Sequence, residues 1–424
     1  MLLISKNYLL GMPFAYRGKL PCEVMAEPVQ LKAADFRDSN GIYYWPSSRP
    51  KPSIAVLIIH PRVDFSRHYC IPHFVEAGFS CLGLNSRNFN NDTTAIHEQL
   101  ILDVNAGVKF LKEIQGADTV VLFGNSGGGS LSAFFQAQAQ LPKGERLEKT
   151  PGGDATHLNK IDLFPADAFA VVSAHRGQGA VLNKCIDPSV VDENDPLRFD
   201  SELDMYDQKN GFKPPPQPSE YSTEFVARYR AAQLARVQRL DNTARELIDD
   251  ARSHEQQYEN SDDTMDFMTR HHLGRRGAME KIMVIYRTMA NLHYADPSLD
   301  PSGRGYGSLL SERPDLMNMQ QMGFARVVSP KAWLSTWSGI SSNANLVENI
   351  GKLNIPVLVC NAKHDVEIYP GDCEAVWSAI TTADKTRYDF DAKHYFEPEF
   401  GETYAPDVKE VMDKVIPWIK ERFE

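Results

Sequence analysis

Residues 120–130 read VVLFGNSGGGS: four apolar residues lead straight into a serine held among glycines. An apolar run of that kind predicts a strand covered on both faces. The LSAFFQAQAQ of residues 131–140 predicts a helix just after it. The serine therefore falls in a strand-to-helix turn, and its neighbours must be small for the chain to turn so sharply. The pattern Gly124-x-Ser126-x-Gly128 meets that demand and exposes one hydroxyl where a helix begins. The first N–H groups of a helix favour a developing negative charge.

The same alternation runs through much of the chain. Residues 22–45 read as a hairpin with its tight turn at Asn40-Gly41. SIAVLIIH (53–60), FSCLGLN (79–85), AFAVVSA (168–174) and PVLVCNA (356–362) predict further strands. Ile96, Leu100, Val104, Val108, Leu111 and Ile114 recur at helical spacing up to Gly116, and VKEVMDKVIPWIKERF predicts a last helix. Strands alternating with helices predict an α/β fold, a mostly parallel central sheet with helices on both faces. Between roughly 180 and 345 the alternation stops. KPPPQPSEY (213–221) breaks the chain. Val226, Tyr229, Val237, Leu240, Ala244 and Leu247 then predict a long helix, and Met279, Ile282, Met283, Tyr286 and Met289 a second one. This region reads as a helical insertion at 181–345 that splits the core into 1–180 and 346–424.

A length of 424 residues suggests a core domain plus a large insertion, or two domains. The net charge of -11 argues against nucleic acid or an anionic membrane as main partner. No apolar run is long enough to span a bilayer. Residues 1–19 lack the basic start, apolar stretch and small-residue site of a signal peptide. The six cysteines are scattered without CxxC spacing, which fits buried thiols in a reducing cytoplasm. His271-His272 is an adjacent pair that cannot aim both rings to one side of a helix, so no metal or other cofactor is expected. The expected partner is a small-molecule substrate, with a homodimer left open.

A serine hydroxyl is a weak nucleophile and needs a base, which itself needs orienting. Asp365 follows the strand in PVLVCNAKHD, and His394 follows a short strand in YDFDAKHYF. The order Ser126, Asp365, His394 is nucleophile, acid, base. His364, Asp391 and Glu367 are the nearest rivals. The strand at 168–174 is followed by no carboxylate before Asp187, which favours Asp365 as the acid.

On GNSGGG, NAKHD, AKHYF and LIIHPRVD the chain resembles the α/β-hydrolase superfamily over about 22–180 and 325–424. The resemblance implies the α/β-hydrolase fold and an oxyanion hole of two backbone N–H groups. One follows the nucleophile, at Gly127. The other follows a strand that usually ends in His-Gly. Here it ends in His60-Pro61, and proline has no N–H. The second donor is therefore expected at Arg62 or Val63, and the Arg62 side chain is a candidate for binding a substrate carboxylate.

The expected reaction is ester hydrolysis through an acyl-enzyme on a small or medium apolar or aromatic substrate. Cleavage of a C–C bond, lactone or amide, and acyl transfer, use the same triad and stay open. A non-catalytic ligand-binding member of the fold is a further alternative, which the full set Ser126, Asp365 and His394 argues against; a scaffold would not need the serine elbow. Eight of the thirteen methionines lie between Met265 and Met322. Methionine lines irregular apolar pockets well. Met283, Tyr286 and Met289 are therefore expected in a lid that shapes the substrate pocket.

Overall fold

The computed structural model describes residue 20 and residues 23–398 and 405–424. Its sheet has eight strands: β1 (Val24–Lys32), β2 (Asp38–Pro46), β3 (Ile54–His60), β4 (Ser80–Asn85), β5 (Thr119–Asn125), β6 (Ala168–Val172), β9 (Val357–Ala362) and β10 (Lys385–Phe390). Their order in space is β1-β2-β4-β3-β5-β6-β9-β10. Only β2 runs against its neighbours, pairing antiparallel with β1 and β4. The expected fold class, a mostly parallel sheet with helices on both faces, is the one observed.

Alternate residues of each central strand feed two apolar cores. Ala55, Leu57, Ile59, Val120 and Leu122 face the helices α2 (His97–Lys109) and α3 (Gly127–Ala139). Val56, Ile58, Val121 and Phe123 face α1 (Ile71–Glu76) and the helix Pro406–Phe423. Every residue of β3 is buried. Burial of each Val, Leu, Ile or Phe side chain contributes roughly 1.5–3 kcal/mol, so residues 54–59 and 120–123 anchor the sheet's centre.

The first hairpin forms, but its turn is not at Asn40-Gly41. The chain reverses over residues 33–37, where the Ala33 N–H donates to the Arg37 carbonyl and Phe36 takes a positive φ. Asn40 and Gly41 lie inside β2. Gly41 is there because a β-carbon would stand 2.5 Å from the Gly83 carbonyl oxygen of β4.

Strands β6 and β9 pair directly, yet about 180 residues separate them in the chain. That excursion lies outside the sheet and carries α4 (Gln178–Cys185), α5 (Thr223–Glu259) and α6 (Phe267–Ala278). α5 is the long helix expected, started by Ser222, whose side chain accepts the Phe225 N–H. The second helix differs from expectation. α6 ends at Ala278, and Met283–Val284 form a strand, β7, paired with β8 (Val327–Val328). Met283, Ile285 and Arg287 are buried whereas Ile282, Val284 and Tyr286 are exposed, and residues 287–290 are all buried. Over 282–287 that is a period of two, and the periodicity of 3.6 read into these residues was coincidental.

The excursion is fastened to the core at the start of α2. The Ser335 hydroxyl donates to Glu98 at 2.6 Å and receives the His97 N–H at 2.9 Å. Thr336 donates to the Ala95 carbonyl at 2.7 Å, and Asn343 donates to Glu98 at 2.9 Å.

Among the described residues no helix is long and apolar enough to cross a membrane. The five described cysteines are buried free thiols; Cys22 and the N-terminal residues 1–19 lie outside the described residues.

Candidate active site

Five parallel strands bring side chains to one edge of the sheet, at their carboxyl ends, where open α/β sheets bind ligands. His60 ends β3, Ser126 follows β5, His175 follows β6, Asp365 follows β9 and His394 follows β10.

Ser126 sits at φ 52°, ψ -125°, a conformation residues with a side chain rarely take. The glycines around it are demanded by close approach. A β-carbon on Gly124 would meet the Gly129 backbone at 2.7 Å, one on Gly128 the Ile59 carbonyl oxygen at 2.3 Å, and one on Gly129 the Ala174 β-carbon at 2.4 Å. α3 thus starts against the ends of β3 and β6, and the hydroxyl is carried on a turn with no slack.

Ser126 Oγ lies 3.1 Å from His394 Nε2, and His394 Nδ1 lies 2.7 Å from Asp365 Oδ2. The other oxygen of Asp365 accepts the N–H groups of Glu367 and Ile368 at 2.8 and 3.0 Å. All three side chains are buried. With Nδ1–H given to the carboxylate, Nε2 is left to accept the serine hydroxyl. Burial pushes the His394 pKa down, but the charge and hydrogen bond of Asp365 outweigh it, and the net shift is upward. Two of the rivals, His364 and Asp391, go elsewhere, whereas Glu367 lines the cavity on Ser126. His364 is partly exposed and pairs with Asp391 and the Gly303 carbonyl.

A cavity of about 140 Å³ opens on Ser126. Val63, Val181, Leu309, Leu310, Met322 and Phe324 give it apolar walls; His60, Arg62, His175, Gln178 and Glu367 give it polar ones. Glu367 accepts the Leu309 N–H at 3.1 Å and the Tyr294 hydroxyl at 2.9 Å. Burial raises its pKa to about 7. Tyr395 also lines the cavity, beside Ser126 and His394.

Three expected wall residues are not there. Met283 and Met289 pack in a separate apolar cluster with Trp333 and Trp337, and Tyr286 is exposed. Of the methionine group, Met322 reaches the cavity, on the loop that also brings Phe324.

The Arg62 amide is also not aimed at Ser126. The Arg62 and Val63 N–H groups both donate to His60 Nδ1, each at 3.1 Å. The chain folds back after Pro61, and the imidazole takes both amides. The Arg62 guanidinium bonds Asp92 at 3.1 Å and lies over the rings of Phe324 and Trp337. Sequence reasoning passed over His60, His175, Gln178 and Tyr395 as side chains. His60 and His175 did carry a signal, since each stands at the carboxyl end of a buried strand.

No family model and no curated protein matches the chain. Among solved structures it is similar to an α/β hydrolase of Penicillium sp. sh18 (11% identity, TM-score 0.47), with 94% of this chain and 98% of that one covered. It is also similar to an esterase domain of a Rhodothermus marinus protein (10%, TM-score 0.43; 94% and 98% covered). A hypothetical protein of Pseudomonas aeruginosa gives 13% and a TM-score of 0.48, with 99% and 100% covered. At this distance the chemistry of the site rests on its own atoms.

Proposed function

We propose that the chain belongs to the α/β-hydrolase superfamily and is a serine hydrolase that cleaves a carboxylic ester through an acyl-enzyme. The observation that carries this reading is the unbroken line from the Ser126 hydroxyl through His394 to Asp365. His394 takes the serine proton as Oγ adds to the carbonyl carbon, then returns it to the leaving alcohol. Asp365 holds the ring and stabilises the imidazolium. Water repeats the sequence and releases the acid. The small cavity with mixed walls favours a short acyl group over a long chain. The loop with Met322 and Phe324 acts as a lid over the acyl group.

The decisive experiment is labelling with a fluorophosphonate, followed by turnover of short p-nitrophenyl esters. Wild type should label at Ser126 and hydrolyse the esters. Ser126→Ala should stay folded, take no label and lose at least about 10³-fold in kcat. Labelling or near-full turnover by Ser126→Ala would end the assignment.

A further inference from the structure

Three side-chain nitrogens converge on the open side of Gly127. A β-carbon there would lie 2.7 Å from His60 Nε2, 3.0 Å from Gln178 Nε2 and 3.2 Å from His175 Nε2. All three residues line the Ser126 cavity. Glycine at 127 keeps the space before them clear.

The backbone fixes what two of them present. His60 Nδ1 accepts the amides of Arg62 and Val63, so the ring proton is on Nε2. His175 Nδ1 accepts the Gly177 N–H at 3.2 Å, with the same result. Both rings are held neutral. Burial, then neighbouring positive charge, lowers the His60 pKa well below 6.5 and that of His175 to about 3. At neutral pH both are donors, and their neutral ring N–H is not acidic enough to be lost to a nearby base.

We propose that the oxyanion hole of this chain is built on one side from a side chain: His60 Nε2–H, flanked by Gln178 and His175, does the work given elsewhere to the amide after the strand. The inference rests on the hydrolase reading. As the Oγ–C bond forms, the carbonyl π pair moves onto oxygen. That oxygen is received by the Gly127 N–H, the first of α3 and without an acceptor in its own helix, and by the imidazole N–H. The amides of Arg62 and Val63 act through the ring. They hold its tautomer and polarise its distal N–H toward the anion. Preorganised neutral donors of this kind stabilise charge that exists only in the transition state.

The test uses two substitutions at one position. His60→Asn keeps an acceptor for the two amides and removes the distal donor; His60→Gln keeps a distal N–H. With p-nitrophenyl acetate, His60→Asn should lower kcat about 10²–10³-fold with little change in KM, and His60→Gln should recover part of the loss. Gln178→Leu should lower kcat by a smaller factor. Affinity for phenylboronic acid, which forms a tetrahedral anion on the serine, should fall in parallel with kcat. If wild type labels and turns over but His60→Asn keeps its kcat, the inference fails and the hydrolase reading stands. The inference fails in the same way if Tyr395→Phe carries the loss instead. If wild type neither labels nor turns over, both fall. A melting temperature unchanged in His60→Asn excludes a purely structural loss. Should that variant not fold, Gln178→Leu and His175→Phe must show the same split between kcat and KM.

Discussion

Histidines at this site divide by what their Nδ1 atoms meet. In His394 that atom faces a carboxylate, which leaves Nε2 an acceptor; in His60 and His175 it faces backbone N–H groups, which leaves Nε2 a donor. As the proposed base, His394 must be neutral to act, and its pKa is raised above 6.5. The rate at saturating ester should therefore fall as pH drops through a value above 6.5, and a pH–rate profile flat down to pH 5 would contradict the assignment. Asp365→Asn should lower kcat by up to about 10⁴-fold by setting the wrong tautomer. Glu367 adds a prediction of the opposite kind. Its carboxyl is raised to about 7 from an ordinary 4.5, so the folded state holds a proton that the unfolded chain releases. That stability is present at low pH and is lost as pH rises from about 4.5 to 7. Glu367→Gln should then stabilise the protein by about 1–3 kcal/mol at pH 8 and by little at pH 4.5, as read by denaturant titration. The order Ser126, Asp365, His394 was legible because each residue follows a recognisable apolar strand. The capture of the His60 ring by the amides of Arg62 and Val63 was not, since it depends on how the chain doubles back after Pro61.

Elements were legible where one periodicity had no competitor. The fully apolar β3 and β5 could only be covered strands, and α2 and α5 showed long helical stripes. The segment 279–289 satisfied two patterns at once. Residues 279, 282, 283, 286 and 289 suit a helix; the alternation of buried and exposed residues over 282–287 suits an extended chain, and pairing of β7 with β8 decided for the latter. The functional expectation moves with it. Met289→Ala should lower stability by about 2–5 kcal/mol, as a buried core truncation does, while leaving KM of the folded enzyme unchanged. Met322→Ala should do the reverse, shifting the preference toward longer acyl groups at little cost in stability. A KM effect at Met289 and none at Met322 would return Met289 to the substrate pocket. The hairpin shows the same limit from another side: Asn-Gly marks a tight turn locally, but Gly41 was selected by the approach of β4, which local sequence does not report.

For the molecule as a whole, its buried histidines set the response to acid. Burial lowers the pKa of His97 to about 4, of His175 to about 3 and of His293 to about 2, and His60 is lowered too. Unfolded, each titrates near 6.5. Their contribution is intact above that pH and is lost as pH falls toward the folded values, at up to about 1.4 kcal/mol per group per pH unit. Calorimetry should show the melting temperature dropping steadily from pH 6.5 to 4, and His97→Asn should flatten that slope; a melting temperature constant over this range would refute the account. The excursion between β6 and β9 has a consequence of another kind, in time. On the ribosome β6 emerges with one edge bare, and its neighbour β9 is made only after about 180 more residues, a wait on the order of 10–40 s at common synthesis rates. Through that interval an apolar strand edge stands open to any chain that can pair with it. Ser126 is already made, but Asp365 and His394, whose side chains line up with its hydroxyl in the folded chain, have not been translated.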